Sequence, residues 1–138
     1  MKPVLLDTGV VVALLDRSEQ HHGRCAAALQ DLHLPPVTCE AVIAEACYLL
    51  RGIPGAPEAV IANVAAGIFQ IQFELSHCAP DIQRLLRKYR DQRIDFADAC
   101  LIQMAAELRT GEILTLDRDF ELYRWGGNRP FRLLVPLD

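Results

Sequence analysis

The chain has 138 residues, of which 51% are hydrophobic, and a formal net charge of −4 at pH 7. This length and apolar content predict one domain over residues 1–138 with a full hydrophobic core. The negative charge excludes a protein that coats nucleic acid generally, because such proteins carry a basic excess that neutralises phosphates. Any contact with nucleic acid is therefore expected to be local or mediated by a metal.

The cysteines and the apolar segments indicate where the protein works. The five cysteines form no C-x-x-C pair and lie mostly among Ala, Leu and Ile, which is typical of reduced, buried thiols in a cytoplasmic protein. The start of the chain is not typical of a signal peptide, since Asp7 interrupts its apolar run. No apolar run approaches the roughly 20 residues that span a bilayer. No contact with a membrane is predicted.

Hydrophobic patterning predicts strands that are separated by helices. Strands are predicted over residues 3–6, 69–75, 112–116 and 131–135, with an extended segment over 34–37. Helices are predicted over residues 10–15, 21–32, 39–50, 57–67, 79–91 and 95–106. Thr38 is expected to cap the helix that follows it. This order predicts an α/β fold with a parallel sheet that is covered on both faces.

The helix over residues 95–106 opens with two carboxylates and continues as an apolar segment. Phe96, Ala99, Ile102 and Ala106 recur at steps of three and four residues, so this helix is expected to be largely buried. Asp95 and Asp98 have an ordinary interpretation as an N-cap and a first-turn acid that favours the positive end of the helix dipole. Whether capping alone explains these two acids depends on where the other carboxylates of the chain lie.

Four acids occupy positions that differ from those of ordinary surface acids. Asp7 and Asp117 each follow a predicted strand, at the sheet edge where open α/β proteins bind ligands. Glu45 and Asp98 have mainly apolar neighbours at helical spacing, and an ionised carboxylate on a buried face is costly unless a partner compensates it. Two interpretations stay open: scattered acids in salt bridges, or convergence on one oxygen-lined pocket suited to Mg²⁺ or Mn²⁺.

Four short motifs resemble those of the PIN-domain ribonucleases, especially the single-domain toxins of VapBC-type toxin–antitoxin pairs. They follow in order along nearly the whole chain: Leu5-Leu6-Asp7-Thr8-Gly9, Ile43-Ala44-Glu45, Asp95-Phe96-Ala97-Asp98-Ala99 and Leu114-Thr115-Leu116-Asp117-Arg118-Asp119-Phe120. Each motif alone is weak, and their order and distances make the resemblance fairly specific.

The resemblance implies a three-layer α/β/α sandwich with a central, mostly parallel sheet, and an endoribonuclease that depends on Mg²⁺ or Mn²⁺. It implies metal and catalytic roles for Asp7, Asp98 and Asp117, with Glu45 at the edge through water or at a second ion. Thr8 and Thr115 would be supporting hydroxyls. A homodimer and a small antitoxin whose tail covers the active site are also implied. By this resemblance, a water molecule activated by the metal would attack an RNA phosphodiester and leave a 5′-phosphate.

Several neighbouring residues keep alternative interpretations. Asp95 is expected to remain an N-cap, and Asp119 to have a peripheral or helix-start role. Trp125 is typical either of a residue that stacks on a base or of a turn with an anchoring aromatic. A basic run, expected to lie on one helix just before the acidic helix, is either a solvated face or a surface that holds the RNA backbone. Its members are Arg84, Arg87, Lys88, Arg90 and Arg93.

Two other functions compete with a ribonuclease. One is a PIN-like module that binds RNA or a protein without cutting, and the other is a structural α/β domain whose acids are all paired. The four carboxylates favour the enzyme, because a binding module has no need for acids with apolar neighbours.

Overall fold

Five short parallel strands form the central sheet in the order β3-β2-β1-β4-β7. The structure is a computed structural model and describes residues 2–138. The sheet strands are β1 (Leu5–Leu6), β2 (Val37–Thr38), β3 (Gln70–Ile71), β4 (Glu112–Leu114) and β7 (Arg132–Leu133). A separate antiparallel hairpin pairs β5 (Arg124–Trp125) with β6 (Arg129–Pro130). The predicted parallel sheet is confirmed.

Six α-helices flank the sheet, which confirms the predicted α/β/α architecture. They are α1 (Thr8–Leu15), α2 (His22–Gln30), α3 (Glu40–Leu49), α4 (Ala56–Ala65), α5 (Leu75–Lys88) and α6 (Phe96–Leu108). Two 3₁₀ helices cover Arg90–Gln92 and Arg118–Glu121. Within residues 2–138, no helix is long and apolar enough to cross a membrane.

The largest error in the predicted elements lies between β3 and α5. The alternating pattern over residues 69–75 predicted one strand, but β3 ends at Ile71 and Leu75 already begins α5. Leu75 is 43% exposed, so the apolar side of that pattern has no core to cover there. Helix α5 bends at Cys78, close to Pro80, which lies inside the helix and lacks a backbone N–H. The bend explains why the helical pattern became clear only from residue 79.

The core is centred on α6 and on the two strands that it faces. Leu101, Ile102, Met104 and Ala105 of this helix are buried together with the strand residues of β1 and β4. The predicted burial is wrong at the ends of the helix, because Phe96 is 44% exposed and Ala106 is exposed. The buried middle fixes the position of the first turn, which carries Asp98.

Thr38 does not cap α3 as expected. Its hydroxyl donates instead to the carbonyl oxygen of Leu6 at 2.7 Å and so joins β2 to β1. The N-cap of α3 is Cys39, which makes no side-chain capping bond. A buried hydroxyl needs a partner, and a sheet carbonyl next to it satisfies that need.

Trp125 anchors the hairpin rather than presenting a free ring. Its indole N–H donates to the carbonyl oxygen of Pro130 at 3.1 Å, and the guanidinium of Arg129 lies 5.3 Å from the ring centroid. Gly111 permits this contact, because a Cβ there would lie 2.2 Å from Nε1 of Trp125. The structure therefore favours the interpretation as a turn.

All five cysteines are free, and four of them are buried. This arrangement agrees with the prediction of reduced thiols that pack as small apolar side chains.

Candidate metal centre

Three carboxylates converge at the carboxyl edge of the sheet. Asp7 directly follows β1, Asp117 follows β4 by three residues, and Asp98 lies in the first turn of α6. The two strands are neighbours in parallel register, with Leu6 opposite Leu114, so their acids leave the sheet at the same edge. One oxygen of each carboxylate lies within 4.8 Å of the others. The structure brings these three predicted site residues together.

Hydrogen bonds fix the Asp7 carboxylate in place. Its Oδ2 accepts from the Thr115 hydroxyl at 2.6 Å, and its Oδ1 accepts from the backbone N–H of Thr8 at 2.8 Å. The Thr115 oxygen also accepts from the backbone N–H of Asp117 at 3.0 Å. Thr115 thus links two of the three acids.

Within residues 2–138, the carboxylates of Asp98 and Asp117 each have one protein donor. Oδ2 of Asp98 accepts from the Tyr123 hydroxyl at 3.3 Å, and Oδ1 of Asp117 accepts from the backbone N–H of Asp119 at 2.8 Å. Asp119 is exposed and lies in the first turn of the 3₁₀ helix that Asp117 caps. That position agrees with the expected helix-start role of Asp119.

Asp95 is the N-cap of α6, as predicted. Its Oδ1 accepts from the backbone N–H of Asp98 at 2.9 Å, and its backbone is extended as an N-cap requires. The residue itself is exposed, whereas Asp98 is 8% exposed. The cap fixes the first turn of the helix and therefore the place of the Asp98 side chain.

The acids carry negative charge into a poorly solvated site without a basic partner. Among the ion pairs of residues 2–138, none includes Asp7, Asp98 or Asp117. Burial, together with the neighbouring acids, raises the pKa of Asp7 from 3.8 to about 6 and that of Asp98 from 3.8 to about 8. Burial also raises the pKa of Asp117. A cation at this point would remove a real electrostatic cost.

Glu45 shares the cavity of these acids but does not belong to the tight cluster. The cavity measures about 320 Å³ and is lined by Asp7, Asp98, Asp117, Asp95 and Glu45 among others. The face of α3 that carries Glu45 is only partly buried, because Val42 is in the core whereas Tyr48 and Leu49 are 62% and 55% exposed. The helix also buries Ile43 and Ala46.

The donor set fits a hard divalent cation. Three carboxylate oxygens within 4.8 Å, with a hydroxyl beside them, are the ligands that Mg²⁺ and Mn²⁺ prefer. Thr8 supplies that hydroxyl: its Oγ1 is buried, lines the same cavity and has no hydrogen-bond partner among residues 2–138. Because buried hydroxyls are normally satisfied, this oxygen indicates a missing ligand or water.

The prediction that the basic run lies on one helix is wrong. Arg84, Arg87 and Lys88 belong to α5, Arg90 lies in the following 3₁₀ helix, and Arg93 follows with a φ of 55°. All five are exposed. Arg84, Arg87 and Lys88 have the spacing of one face of α5, whereas the chain has left that helix at Arg90 and Arg93.

Tyr89 and Tyr123 connect the end of α5 to the acidic site. The Lys88 ammonium lies 5.1 Å from the ring centroid of Tyr89, and that ring packs edge to face on Tyr123 at 5.0 Å. Tyr123 in turn donates to Asp98. One aromatic layer therefore separates the basic residues from the carboxylates.

Tyr123, which donates a hydrogen bond to Asp98, was missed by the sequence reasoning. It follows Asp117 by six residues, in a segment to which the sequence analysis assigned no role. A single tyrosine between charged residues, with a ring to bury and a hydroxyl to satisfy, was the available signal.

Comparisons with known proteins find a family model, a curated relative and a solved structure that resemble this chain. The family model described as the PIN domain matches residues 4–126. The ribonuclease VapC26 of Mycobacterium tuberculosis is 35% identical over 121 residues, which cover 83% of this chain and 87% of that protein. The crystal structure of VapC20 from the same organism, a toxin that cleaves the sarcin–ricin loop, has a similar fold. Its TM-score is 0.79 at 17% identity, over 86% of this chain and 93% of that one.

Proposed function

This chain belongs to the PIN domain family, and from that premise we propose that it is a divalent-metal-dependent endoribonuclease. The observation that carries the proposal is the cluster of three carboxylate oxygens within 4.8 Å, which has no basic partner in residues 2–138. The likeness to the ribonuclease VapC26 supports RNA as the substrate. A structural domain would pair its acids with basic residues, and within residues 2–138 none of these three forms an ion pair.

Asp7, Asp98 and Asp117 would hold Mg²⁺ or Mn²⁺, with Glu45 as the outer acid of a catalytic quartet. When bound, such an ion lowers the pKa of its water and offsets the charge of the phosphate. The residues of the chain supply the rest. Thr115 and the Thr8 backbone orient Asp7, and the Asp95 cap orients the turn that carries Asp98.

Glu45 is proposed to position the attacking water at the rim of the cavity. It lines the cavity of the three acids, yet none of its atoms belongs to their tight cluster. It is also partly open to solvent on α3. A carboxylate outside the cluster of three acids can orient or deprotonate a water more readily than it can bind the same ion directly.

The decisive experiment is cleavage of a mixed RNA pool by the purified protein. We expect cleavage in Mg²⁺ or Mn²⁺, loss of cleavage in EDTA and recovery when the ion is restored, because a phosphodiester cannot reach the four carboxylates without a compensating cation. RNA that is bound but never cut would favour the alternative, a non-catalytic PIN-like module. A protein that neither binds nor cleaves RNA would contradict the assignment of RNA as the substrate.

Neutralising Arg87 and Arg90 together is expected to weaken RNA binding about tenfold at low salt. The slope of the logarithm of the binding constant against the logarithm of the salt concentration should become shallower by roughly one for each phosphate contact that is lost. Both side chains are exposed, and neither makes an ion pair within residues 2–138. Fluorescence anisotropy of an RNA oligomer in EDTA measures the affinity without cleavage.

The matched control for this pair is Arg17→Gln with Arg109→Gln. Both control residues are exposed, and Arg109 ends α6 at the opposite end from Asp98. The Arg87→Gln/Arg90→Gln protein should keep wild-type Mn²⁺ affinity. An RNA affinity equal to that of the control would contradict a role for this basic surface.

The remaining proposals concern the assembly and its surroundings. We propose that the enzyme is the toxin of a toxin–antitoxin pair, that it forms a homodimer and that a small antitoxin protein inhibits it; the likeness to VapC26 supports the first of these. A single hydrophobic core supports one domain over residues 1–138. Five unpaired cysteines support a cytoplasmic location.

A further inference from the structure

Tyr123 lies between the aromatic core and the acidic site. It is 1% exposed, and its ring packs edge to face on Tyr89 at 5.0 Å and on Phe120 at 5.1 Å. Two perpendicular aromatic contacts restrict the ring to one orientation. The hydroxyl is therefore held at a fixed point, and that point is next to Asp98.

Unlike the two neighbouring acids, the Asp98 carboxylate accepts from no backbone N–H within residues 2–138. Asp7 accepts from both Thr115 and the Thr8 backbone, and Asp117 accepts from a backbone N–H that its own helix cap fixes. Within residues 2–138, Tyr123 is the one donor to the Asp98 side chain. Without it, the Asp98 carboxylate would have no protein donor within residues 2–138 to fix its orientation.

We propose that Tyr123 is a positioning residue of the metal centre, which holds Oδ2 of Asp98 so that the three carboxylates are preorganised for a divalent ion. This inference rests on the proposed function, since it takes the acids to be metal ligands. Its physical basis is that groups hydrogen-bonded to a ligand fix its orientation, so the ion does not have to order the ligand as it binds. Tyr123 itself touches neither the ion nor the substrate in this role.

Tyr123→Phe is the direct test, because it keeps the ring and its two aromatic contacts and removes only the hydroxyl. We expect its Mn²⁺ affinity, measured by isothermal titration calorimetry, to fall by about tenfold or more, as is usual when a donor to a metal ligand is lost. RNA cleavage should fall at limiting Mn²⁺ and recover toward the wild-type rate at saturating Mn²⁺. A merely structural role would not produce this dependence on metal concentration.

Tyr89→Phe is the matched control. The Tyr89 hydroxyl accepts a hydrogen bond from the backbone N–H of Arg124 at 2.9 Å. Within residues 2–138, it forms no hydrogen bond to the carboxylates of the acidic site. This variant removes a buried tyrosine hydroxyl from the same aromatic pair but leaves the bond to Asp98 intact. Its Mn²⁺ affinity is expected to stay within about twofold of wild type, because the ligand and its donor are both kept.

The outcomes separate this inference from the proposed function. Wild-type protein that binds no Mn²⁺ would contradict the metal centre itself. Wild-type binding with equal affinities for Tyr123→Phe and Tyr89→Phe would overturn the positioning role and leave the metal centre in place.

A second measurement applies if Tyr123→Phe does not fold. Tyr89→Phe protein made with 3-fluorotyrosine carries a more acidic phenol at Tyr123, which is a stronger donor to Asp98. Its Mn²⁺ affinity should then exceed that of the unfluorinated Tyr89→Phe protein. Equal affinities would also overturn the positioning role.

Discussion

Asp98→Asn is expected to bind Mn²⁺ at least about a hundredfold more weakly than wild type and to lose RNA cleavage, since even a donor behind a metal ligand is worth 10–100-fold. The same change should stabilise the metal-free protein by about 2–4 kcal/mol at pH 8. Asp98 is 8% exposed and faces Asp7, Asp95 and Asp117, so its ionised form is poorly solvated and repelled. A neutral amide of the same shape avoids both costs.

The opposite signs of these two effects make the measurement selective. Calorimetry with Mn²⁺ gives the affinity, and urea unfolding in EDTA at pH 8 gives the free energy of unfolding. Asp31→Asn is the matched control, because Asp31 is an exposed residue at the end of α2 and should leave both quantities unchanged. A metal-free Asp98→Asn protein less stable than wild type would indicate that Asp98 has a structural role in the fold.

The strand-end acids could be predicted because a local pattern determines their place. An apolar run followed by Asp7, and another followed by Asp117, put both residues at the carboxyl edge of a parallel sheet. The pairing of Leu6 with Leu114, which brings the two acids within reach of each other, is a property of the folded sheet. The resemblance to a known family supplied that last step.

Glu45 shows what periodicity alone does not determine. Its neighbours on α3 are apolar, which identifies a face of the helix but not what covers that face. In the structure, two of these neighbours, Tyr48 and Leu49, are exposed, while a third, Val42, is buried in the core. An exposed apolar face and a buried one have the same sequence pattern, so only the packing of the helices separates them.

Tyr123 was beyond prediction for a different reason. Its partner Asp98 lies 25 residues earlier in the chain, and their contact depends on how the 3₁₀ helix at Arg118–Glu121 turns the chain back over α6. The segment has no strand or helix periodicity that would indicate this return. Contacts made by irregular segments are set by tertiary packing, which leaves little trace in a single sequence.

Stability of the metal-free protein is expected to fall by about 2–4 kcal/mol, relative to Asp98→Asn, as the pH rises from about 4 to 8. Burial and neighbouring acids raise the pKa of Asp98 in the folded protein from 3.8 to about 8 and that of Asp7 from 3.8 to about 6. Between those values the folded protein holds protons that the unfolded chain has released. The stabilisation is complete below pH 3.8 and is lost as the pH rises through 6 and then 8.

Mg²⁺ should reverse this dependence, because it binds the ionised carboxylates and competes with the protons. Its stabilising effect, measured as the shift in the urea midpoint relative to EDTA, is therefore expected to grow between pH 6 and pH 8. The Asp31→Asn protein should follow the wild-type curve, whereas Asp98→Asn should lose most of the slope above pH 6, where Asp98 is the acid still titrating. The contradicting outcome is a wild-type curve of unfolding free energy against pH, in EDTA, that runs parallel to the curve of Asp98→Asn. It would mean that the Asp98 carboxylate is as well solvated in the folded protein as in the unfolded chain. The case for a compensating cation would then fail.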